Sequence, residues 1–505
     1  MKNILKLIGI IALVAVITFS MACGGGGDDG GGTGGGGDKN LTGTITINLS
    51  TGVTTELTAT YSGKETVRFQ WNKDGSNIGT SSTTNPNKYI PTEEGNYTVT
   101  VSATGYNSKT SDAVTVILPE LSGTITVSPT TNVLAYTELT ATYNGSETVS
   151  YQWNKDGSNV GTTSTTNPNK YTPTTKGSYT VTVSAAGYKS KTSTVVTVNA
   201  WISINSVFGN NGVYAIAFGN NTFVAAGDNK YMATSTDGVT WIRHEGSSFA
   251  SAYYNAIAFG NGKFVAGSTD GEMATSTDGV TWTAVSSSTF KQFRTRINAI
   301  AFGNNMFVAG GGTDGTGNGS MATSTDGATW TTVSNSTFGK NSIYAIAYGN
   351  DKFVAVGASG KIATSTDGAT WIAVTESTFG TSNNTIYAIA YGNDKFVAGG
   401  ASGKMATSDD GATWIAVTDS TFGTSDNTIY AIAFSNGKFV AGGQNGKMAT
   451  STDGETWIAV NNGNLFEYVD STGSTHRADI NVIAYGNNKF VAGGMRGKMA
   501  YLSDN

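Results

Sequence analysis

This chain has little that would support buried chemistry or covalent bracing. A single cysteine, Cys23, stands in 505 residues, so no disulfide can form within one copy and stability has to come from packed cores. The two histidines, His244 and His476, are too few and too isolated for a metal site, and both read as solvated loop positions. Charged residues make up only 13% and sum to −5, which argues against nucleic acid as a partner. There are 6 prolines and no stretch with helical periodicity. The longest apolar run, residues 7–17, is short for a membrane span. What is abundant is glycine, at 67 residues, and repetition.

One segment recurs seven times between Val213 and Ala500. Its clearest copy is Ala-Ile-Ala-Tyr-Gly-Asn-Asp-Lys-Phe-Val-Ala-Gly-Gly at 388–400, then Gly-Lys-Met-Ala-Thr-Ser at 403–408 and Asp-Asp-Gly-Ala-Thr-Trp-Ile-Ala-Val at 409–417. The central isoleucine returns at Ile216, Ile257, Ile300, Ile346, Ile389, Ile432 and Ile483, at spacings of 41, 43, 46, 43, 43 and 51. A period in the forties with several short strands per unit predicts a β-propeller. Each copy reads as four strands: Ala-Ile-Ala-Phe/Tyr, a Gly-Asn hairpin needing positive φ, Phe-Val-Ala, Lys-Met-Ala-Thr, an Asp-Gly turn and Thr-Trp-Ile-Ala-Val. Small residues suit the crowded inner strands and the large aromatics fill between blades.

The final copy stops at 499–505 without its Thr-Trp strand. A matching strand, Trp201-Ile202-Ser203-Ile204, precedes the first copy. The expectation is a seven-bladed ring in which residues 201–204 complete the last blade and remove an open edge.

The Asp-Gly-x-Thr-Trp turns resemble the Asp-boxes of sialidase-type BNR propellers, Ser/Thr-x-Asp-x-Gly-x-Thr-Trp, over residues 201–505. Thr407-Ser408-Asp409-Asp410-Gly411-Ala412-Thr413-Trp414 fits at full length, and the other copies are one residue tighter. The resemblance implies a folding role, away from any ligand, for Asp237, Asp278, Asp326, Asp367, Asp410 and Asp453, with side chains bound to turn amides.

A second duplication lies upstream. Phe69-Gln70-Trp71-Asn72-Lys73-Asp74-Gly75 returns as Tyr151-Gln152-Trp153-Asn154-Lys155-Asp156-Gly157, and each copy lies between Thr-Glu-Leu-Thr-Ala-Thr-Tyr and Gly-x-Tyr-Thr-Val-Thr-Val-Ser. This is similar to bacterial immunoglobulin-like sandwiches. The resemblance implies a core role for Trp71 and Trp153 and a tyrosine corner at Tyr97 and Tyr179. Ala59, Val99, Ala141 and Val181 stand where antibody domains carry cysteines.

Residues 1–22 read as a secretory signal. Lys2 and Lys6 flank its start, and Ser20-Met21-Ala22-Cys23 ends it like a lipobox with Ser in the usual Leu position. Cleavage there would leave Cys23 lipidated in a bilayer and take the net charge from −5 to −7 as Lys2 and Lys6 depart. Residues 24–38 are glycine with a few polar residues, chiefly aspartate, a flexible tether with a reach of roughly 20 Å. The organisation expected is therefore all-β: signal 1–22, lipidated cysteine and tether 23–40, Ig-like sandwiches 41–119 and 120–199, and a seven-bladed propeller 200–505.

This is the build of a bacterial envelope lipoprotein, monomeric, at the outer membrane or cell surface, that displays a propeller. No catalytic constellation, metal site or cofactor motif is recognisable. Sialidases, by the resemblance, would need an arginine triad with a Phe/Tyr-Arg-Ile-Pro motif. Arg243, Arg294, Arg296, Arg477 and Arg496 lie in no such motif. Glu376 and Asp419 occupy equivalent loop positions rather than forming an acid/base pair. The expected role is non-catalytic binding of a glycan or protein. Alternatives are a glycan-cleaving hydrolase of sialidase or xyloglucanase type, or a periplasmic assembly factor. Candidate ligand residues come from the loops that break the repeat and from the ring at the start of the inner strands. The loops, 292–296, 310–320 and 461–479, supply Arg294, Arg296, Phe466, Tyr468, His476 and Arg477. The ring supplies Tyr344, Tyr387 and Tyr430, with Tyr214, Asn255, Asn298 and Asn481 at matching places.

Overall fold

Among the described residues, alternating buried and half-exposed positions make strands, and helix is confined to single 3-10 turns. The computed structural model describes residues 39–51, 55–131, 133–244, 253–286, 288–291, 294–313, 319–380, 384–423, 427–461 and 463–503. Cys23, the signal segment and nearly all of the tether lie outside them. The chain divides into two compact units: residues up to Pro119 with Ala186–Tyr188, and Glu120–Ala185 with Lys189–Asn505.

The first unit is a sandwich of two sheets. One holds Ile45–Thr51, Thr55–Tyr61 and Asn87–Tyr89; the other holds Arg68–Lys73, Ser76–Ser82, Gly95–Ser102, Lys109–Thr110 and Val114–Val116. Leu57, Ala59 and Tyr61 face Phe69, Trp71, Tyr97 and Val99 in one buried cluster. Trp71 Nε1 donates to Asn87 Oδ1 of the opposite sheet at 2.7 Å, so the buried indole is satisfied and the sheets are tied. The Tyr97 hydroxyl closes the corner by donating to Glu93 O at 2.7 Å. The second unit repeats these bonds in its own sandwich, from Trp153 to Asn169 at 2.8 Å and from Tyr179 to Thr175 O at 2.9 Å.

The rest of the second unit is a β-propeller of four-stranded antiparallel sheets. Sheet I runs Val213–Gly219, Thr222–Gly227, Met232–Ser235 and Ile242–His244, and five more sheets follow the same order to residue 459. Their innermost strands are Tyr254–Gly260 (II), Ile297–Gly303 (III), Ile343–Gly349 (IV), Ile386–Gly392 (V) and Ile429–Ser435 (VI). Each first hairpin has a two-residue loop, as at Asn220-Asn221 with φ of 46° and 57°, which matches the twist of the strands. Sheet VII holds Ile480–Gly486, Lys489–Gly494 and Met499–Ser503, and its outer strand is Ile202–Ser203, paired Ile202 to Tyr501 and Ser203 to Ala500. Successive innermost strands lie side by side, and Ile480–Gly486 returns to Val213–Gly219.

What allows this close approach is the residue that ends each innermost strand. A Cβ on Gly219 would overlap the ring of Phe259, and the same holds for Gly260 with Phe302, Gly303 with Tyr348, Gly349 with Tyr391, Gly392 with Phe434 and Gly486 with Phe218. Each of those rings also packs on a phenylalanine across its own hairpin, at 4.5–4.8 Å between centroids.

The second sandwich is joined to the propeller by two residues, Ala200 and Trp201, between Val196–Asn199 and Ile202–Ser203. Val133-Leu134 pairs in parallel with Val198-Asn199, and Leu134 enters the buried cluster of Trp201, Phe466, Phe490 and Leu502. A groove of about 340 Å³ between Pro129–Thr137 and sheet VI is walled by Leu134, Tyr136, Lys438, Asp453 and Ile458. The first sandwich has Thr51-Gly52-Val53-Thr54 where the second has Val133-Leu134-Ala135-Tyr136.

Two expectations need correction. His244 is no solvated loop residue. It ends the outer strand of sheet I, half-buried, with Nε2 at 2.8 Å from Thr234 Oγ1, and burial pulls its pKa down. His476 is exposed but lies in a strand of its own hairpin.

Trp201 is 7% exposed, and truncating a buried tryptophan costs about 3–5 kcal/mol. Trp201→Ala should therefore lower the melting temperature by on the order of 10 °C. Ile415→Ala, at a side chain 68% exposed, should stay within about 0.5 kcal/mol of the parent. Calorimetry of both variants checks the weight carried by the closing strand.

Candidate ligand-binding recess

Chain direction sorts the residues onto two faces. Innermost strands begin at one face and end in hairpins at the other; third strands begin at the first and end in the Asp-box turns. The Asp-boxes therefore lie opposite the starts of the inner strands.

On the Asp-box face the work is structural. In each box the carboxylate accepts from two turn amides while the preceding serine is shared: Asp410 Oδ1 accepts from Ala412 N (2.8 Å), Thr413 N (2.7 Å) and Ser408 Oγ (3.0 Å), and Ser408 Oγ accepts from Gly411 N (2.8 Å). In five of the six boxes the following indole donates back, as Trp414 Nε1 does to Gly411 O at 3.0 Å; Trp241 Nε1 does not. Neighbouring sheets are latched through the hairpin asparagines. Asn220 donates to Thr277 O, Asn261 to Thr325 O, Asn350 to Asp409 O, Asn393 to Thr452 O and Asn487 to Thr236 O, at 2.8–3.2 Å. At the step into sheet VII, Asn436 donates instead to the Tyr485 hydroxyl at 2.7 Å. These latches were not read from sequence, although the asparagine recurs in every Gly-Asn or Ser-Asn hairpin.

The carboxylates in these boxes sit well below their ordinary value. Asp326, Asp367 and Asp410 are lowered from 3.8 to about 2, chiefly by the amides of Thr329, Thr370 and Thr413. At Asp237 and Asp453 burial is the largest single influence and pushes upward, but the amides and serine together outweigh it and leave both at about 2.

The opposite face opens into a central recess of about 540 Å³. Its rim carries Tyr214, Asn255, Asn298, Tyr344, Tyr387, Tyr430 and Asn481, each the second residue of an innermost strand, together with Arg296; Ala and Ile side chains lie at the next levels. The tyrosines of sheets IV, V and VI form an arc: Tyr344 and Tyr387 are 5.0 Å apart, Tyr387 and Tyr430 are 5.5 Å apart and near edge-to-face. They pack on one another across sheets and line the cavity at once. Two amides are committed to the scaffold, since Asn298 donates to Ile343 O at 2.8 Å and Asn481 to Val213 O at 3.1 Å in the next sheet.

Asn255 has another role. With its amide oxygen turned to Arg296, it accepts from Nε at 2.7 Å and Nη2 at 3.2 Å. The Tyr214 hydroxyl reaches Met495 Sδ at 3.6 Å. Burial raises the Tyr214 and Tyr430 phenols, with the nearby charges of Asp228 and Asp479 adding to it. Both phenols therefore stay protonated donors.

Of the other loop candidates, none lines the recess. Arg294 is exposed at φ 49° in a turn. The 461–479 insertion forms a hairpin, Glu467–Val469 with Thr475–Arg477. In it Tyr468 stacks on His476 at 5.4 Å, with the Arg496 guanidinium 5.1 Å from the Tyr468 ring. His476 Nε2 is 2.8 Å from Asp470 Oδ2, and Arg477 pairs with Glu467 at 3.3 Å. The Thr472 hydroxyl, then His476 and the Ser474 amide, hold Asp470 far below the usual carboxylate range. Phe466 is buried rather than exposed on the loop: at 2% exposure it fills the core beneath the hairpin with Trp201 and Leu134. Arg243 lies over the Tyr231 ring at 3.5 Å. Arg296 is thus the one arginine that reaches the recess among the described residues.

Residues 290–404 match a family model described as the DUF6242 beta propeller domain. No curated protein matches the chain. Among solved structures it is similar to YCF48 bound to D1 peptide, at 17% identity over 61% of this chain and 97% of that one, TM-score 0.47. YCF48 from Cyanidioschyzon merolae is 18% identical over 60% of this chain and 98% of that one, TM-score 0.44. The computationally designed Ika8 protein is 14% identical over 60% and 98%, TM-score 0.43.

Because the folded Asp367 lies at about 2 and its ordinary value is 3.8, its contribution is present above about pH 4 and is lost as pH falls toward 2. Asp367→Asn should melt below the parent at pH 7, and the gap should narrow at pH 2.5. Melts at both pH values check this; a constant gap would contradict it.

Proposed function

We propose that this chain is a lipid-anchored bacterial envelope protein that carries a seven-bladed propeller on two immunoglobulin-like sandwiches and uses the propeller's central recess to bind an extracellular glycan without cleaving it. The observation that carries the reading is the lining of the recess. It offers an arc of three tyrosines, on which a sugar ring can stack, set among amides and one guanidinium. Among the described lining residues there is no carboxylate to act as acid, base or nucleophile, whereas glycoside hydrolysis ordinarily uses a pair. Rigid sheets hold the arc, since each tyrosine stands on an innermost strand latched to its neighbours. The projecting hairpin with Tyr468, His476 and Arg477 supports a second reading, a protein partner bound at the rim.

The anchor in this reading is Cys23. Cys23→Ala should move the protein from the detergent phase to the aqueous phase or leave the signal uncleaved; unchanged partitioning with an unchanged mature mass would defeat the anchor. For the recess, the chain lacking residues 1–23 is applied to a glycan array. Tyr387→Ala should weaken glycan binding by roughly tenfold, a stacking contact's worth, with no sugar released from bound glycans. Release above a heat-treated control would overturn the non-catalytic reading.

A further inference from the structure

We infer that the recess selects a carboxylate-bearing saccharide, a uronic-acid unit whose carboxylate sits on Arg296 while its ring lies against the tyrosine arc; this rests on the reading of the recess as a glycan site. Three observations carry the assignment. First, Arg296 is the only ionised side chain among the described residues that line the cavity. A chain with a net charge of −5 therefore presents a local positive centre inside a concave site, where an anion is drawn in and focused.

Second, the guanidinium is held in place. Asn255 accepts from Nε and Nη2 at 2.7 and 3.2 Å, which uses two of its five N–H donors and fixes its plane. The planar fork that remains matches a carboxylate edge.

Third, the order around the ring places this polar group across from the far part of the aromatic arc. Asn255 and Arg296 belong to sheets II and III, while Tyr344, Tyr387 and Tyr430 belong to IV, V and VI. In a closed ring of seven sheets, II stands opposite V and VI and III stands opposite VI and VII, so Tyr387 and Tyr430 face the pair across the recess while Tyr344 stands beside it. A ligand that bridges them needs an anion at one end and a C–H-rich ring face at the other. A uronic acid has its carboxylate directly on such a ring.

The test compares oligogalacturonate with the same oligomer after carboxyl reduction to galactose units, by calorimetric titration of the chain lacking residues 1–23. The expected result is binding of the acidic oligomer at least roughly tenfold tighter than the reduced one, with the preference weakening as salt rises. Arg296→Gln should bring the two oligomers to equal affinity, and Asn255→Ala should narrow the difference. Melting temperatures show whether either variant is merely unfolded, and Arg296→Lys, which keeps the charge but not the fork, should retain part of the preference. Equal binding of both oligomers that is still lost in Tyr387→Ala would overturn the carboxylate assignment and leave the glycan site standing. Preference for a sulfated galactan over the uronate would overturn it as well. Failure of every glycan to bind would overturn both this inference and the reading it rests on.

Discussion

The propeller depends on a contact in which one partner has no side chain. Each innermost strand ends in a residue whose Cα lies under an aromatic ring of the next sheet, from Gly219 under Phe259 around to Gly486 under Phe218. A methyl group at these places would push sheets apart at the axis, where there is no room to redistribute the strain. The exception is informative. Sheet VI ends its innermost strand with Ser435, and the facing Tyr485 hydroxyl accepts from Asn436. The same ring that packs at the other steps is here tied by a hydrogen bond.

This contact sets the radius of the ring and with it the recess. Once the far ends of the innermost strands are fixed, their near ends stand at a set distance, and the second residue of each faces the axis. The two faces then divide the labour. Asp-boxes and asparagine latches use serine, aspartate and asparagine for backbone amides and carbonyls, so little on that face is left to vary. The recess face carries the long inter-sheet loops and side chains such as Tyr387, which pack sideways and also present a surface. Carboxylates held by turn amides on one side and a single held guanidinium on the other give the propeller one face closed on its own backbone and one that opens into the recess.

Much of this architecture is legible in the sequence because it repeats. The isoleucine spacing, the Thr-Trp strand missing at one end and present at the other, and the Asp-Gly turns each state the same constraint several times. The tyrosine ring is legible for the same reason. What escapes is whatever occurs once or depends on a neighbour. Phe466 and Tyr468 are two residues apart and look alike as loop aromatics, yet one is core and the other lies on the hairpin. Only the packing of the hairpin on Trp201 decides which. Asn255, Asn298 and Asn481 occupy one repeat position, but two are bound to the next sheet's backbone, while Asn255 meets an arginine that no other sheet has. His244 reads as a loop residue until the outer strand of sheet I proves longer than the others. The Val133–Tyr136 segment differs from its counterpart in the first sandwich, and its apolar character has meaning only beside the propeller.

The short connection at Ala200-Trp201 has a mechanical consequence. Tension applied between the segments before residue 120 and a ligand held by the propeller would enter through the strand that closes the ring, Ile202–Ser203, and pull first on its pairing with Tyr501 and Ala500. The seating of Leu134 among Trp201, Phe466 and Leu502 provides a second route for that load, from the sandwich into sheets VI and VII without passing along the closing strand. The clasp is thereby relieved of part of the pull, and a force that would unzip an undocked ring is spread over a packed, apolar joint.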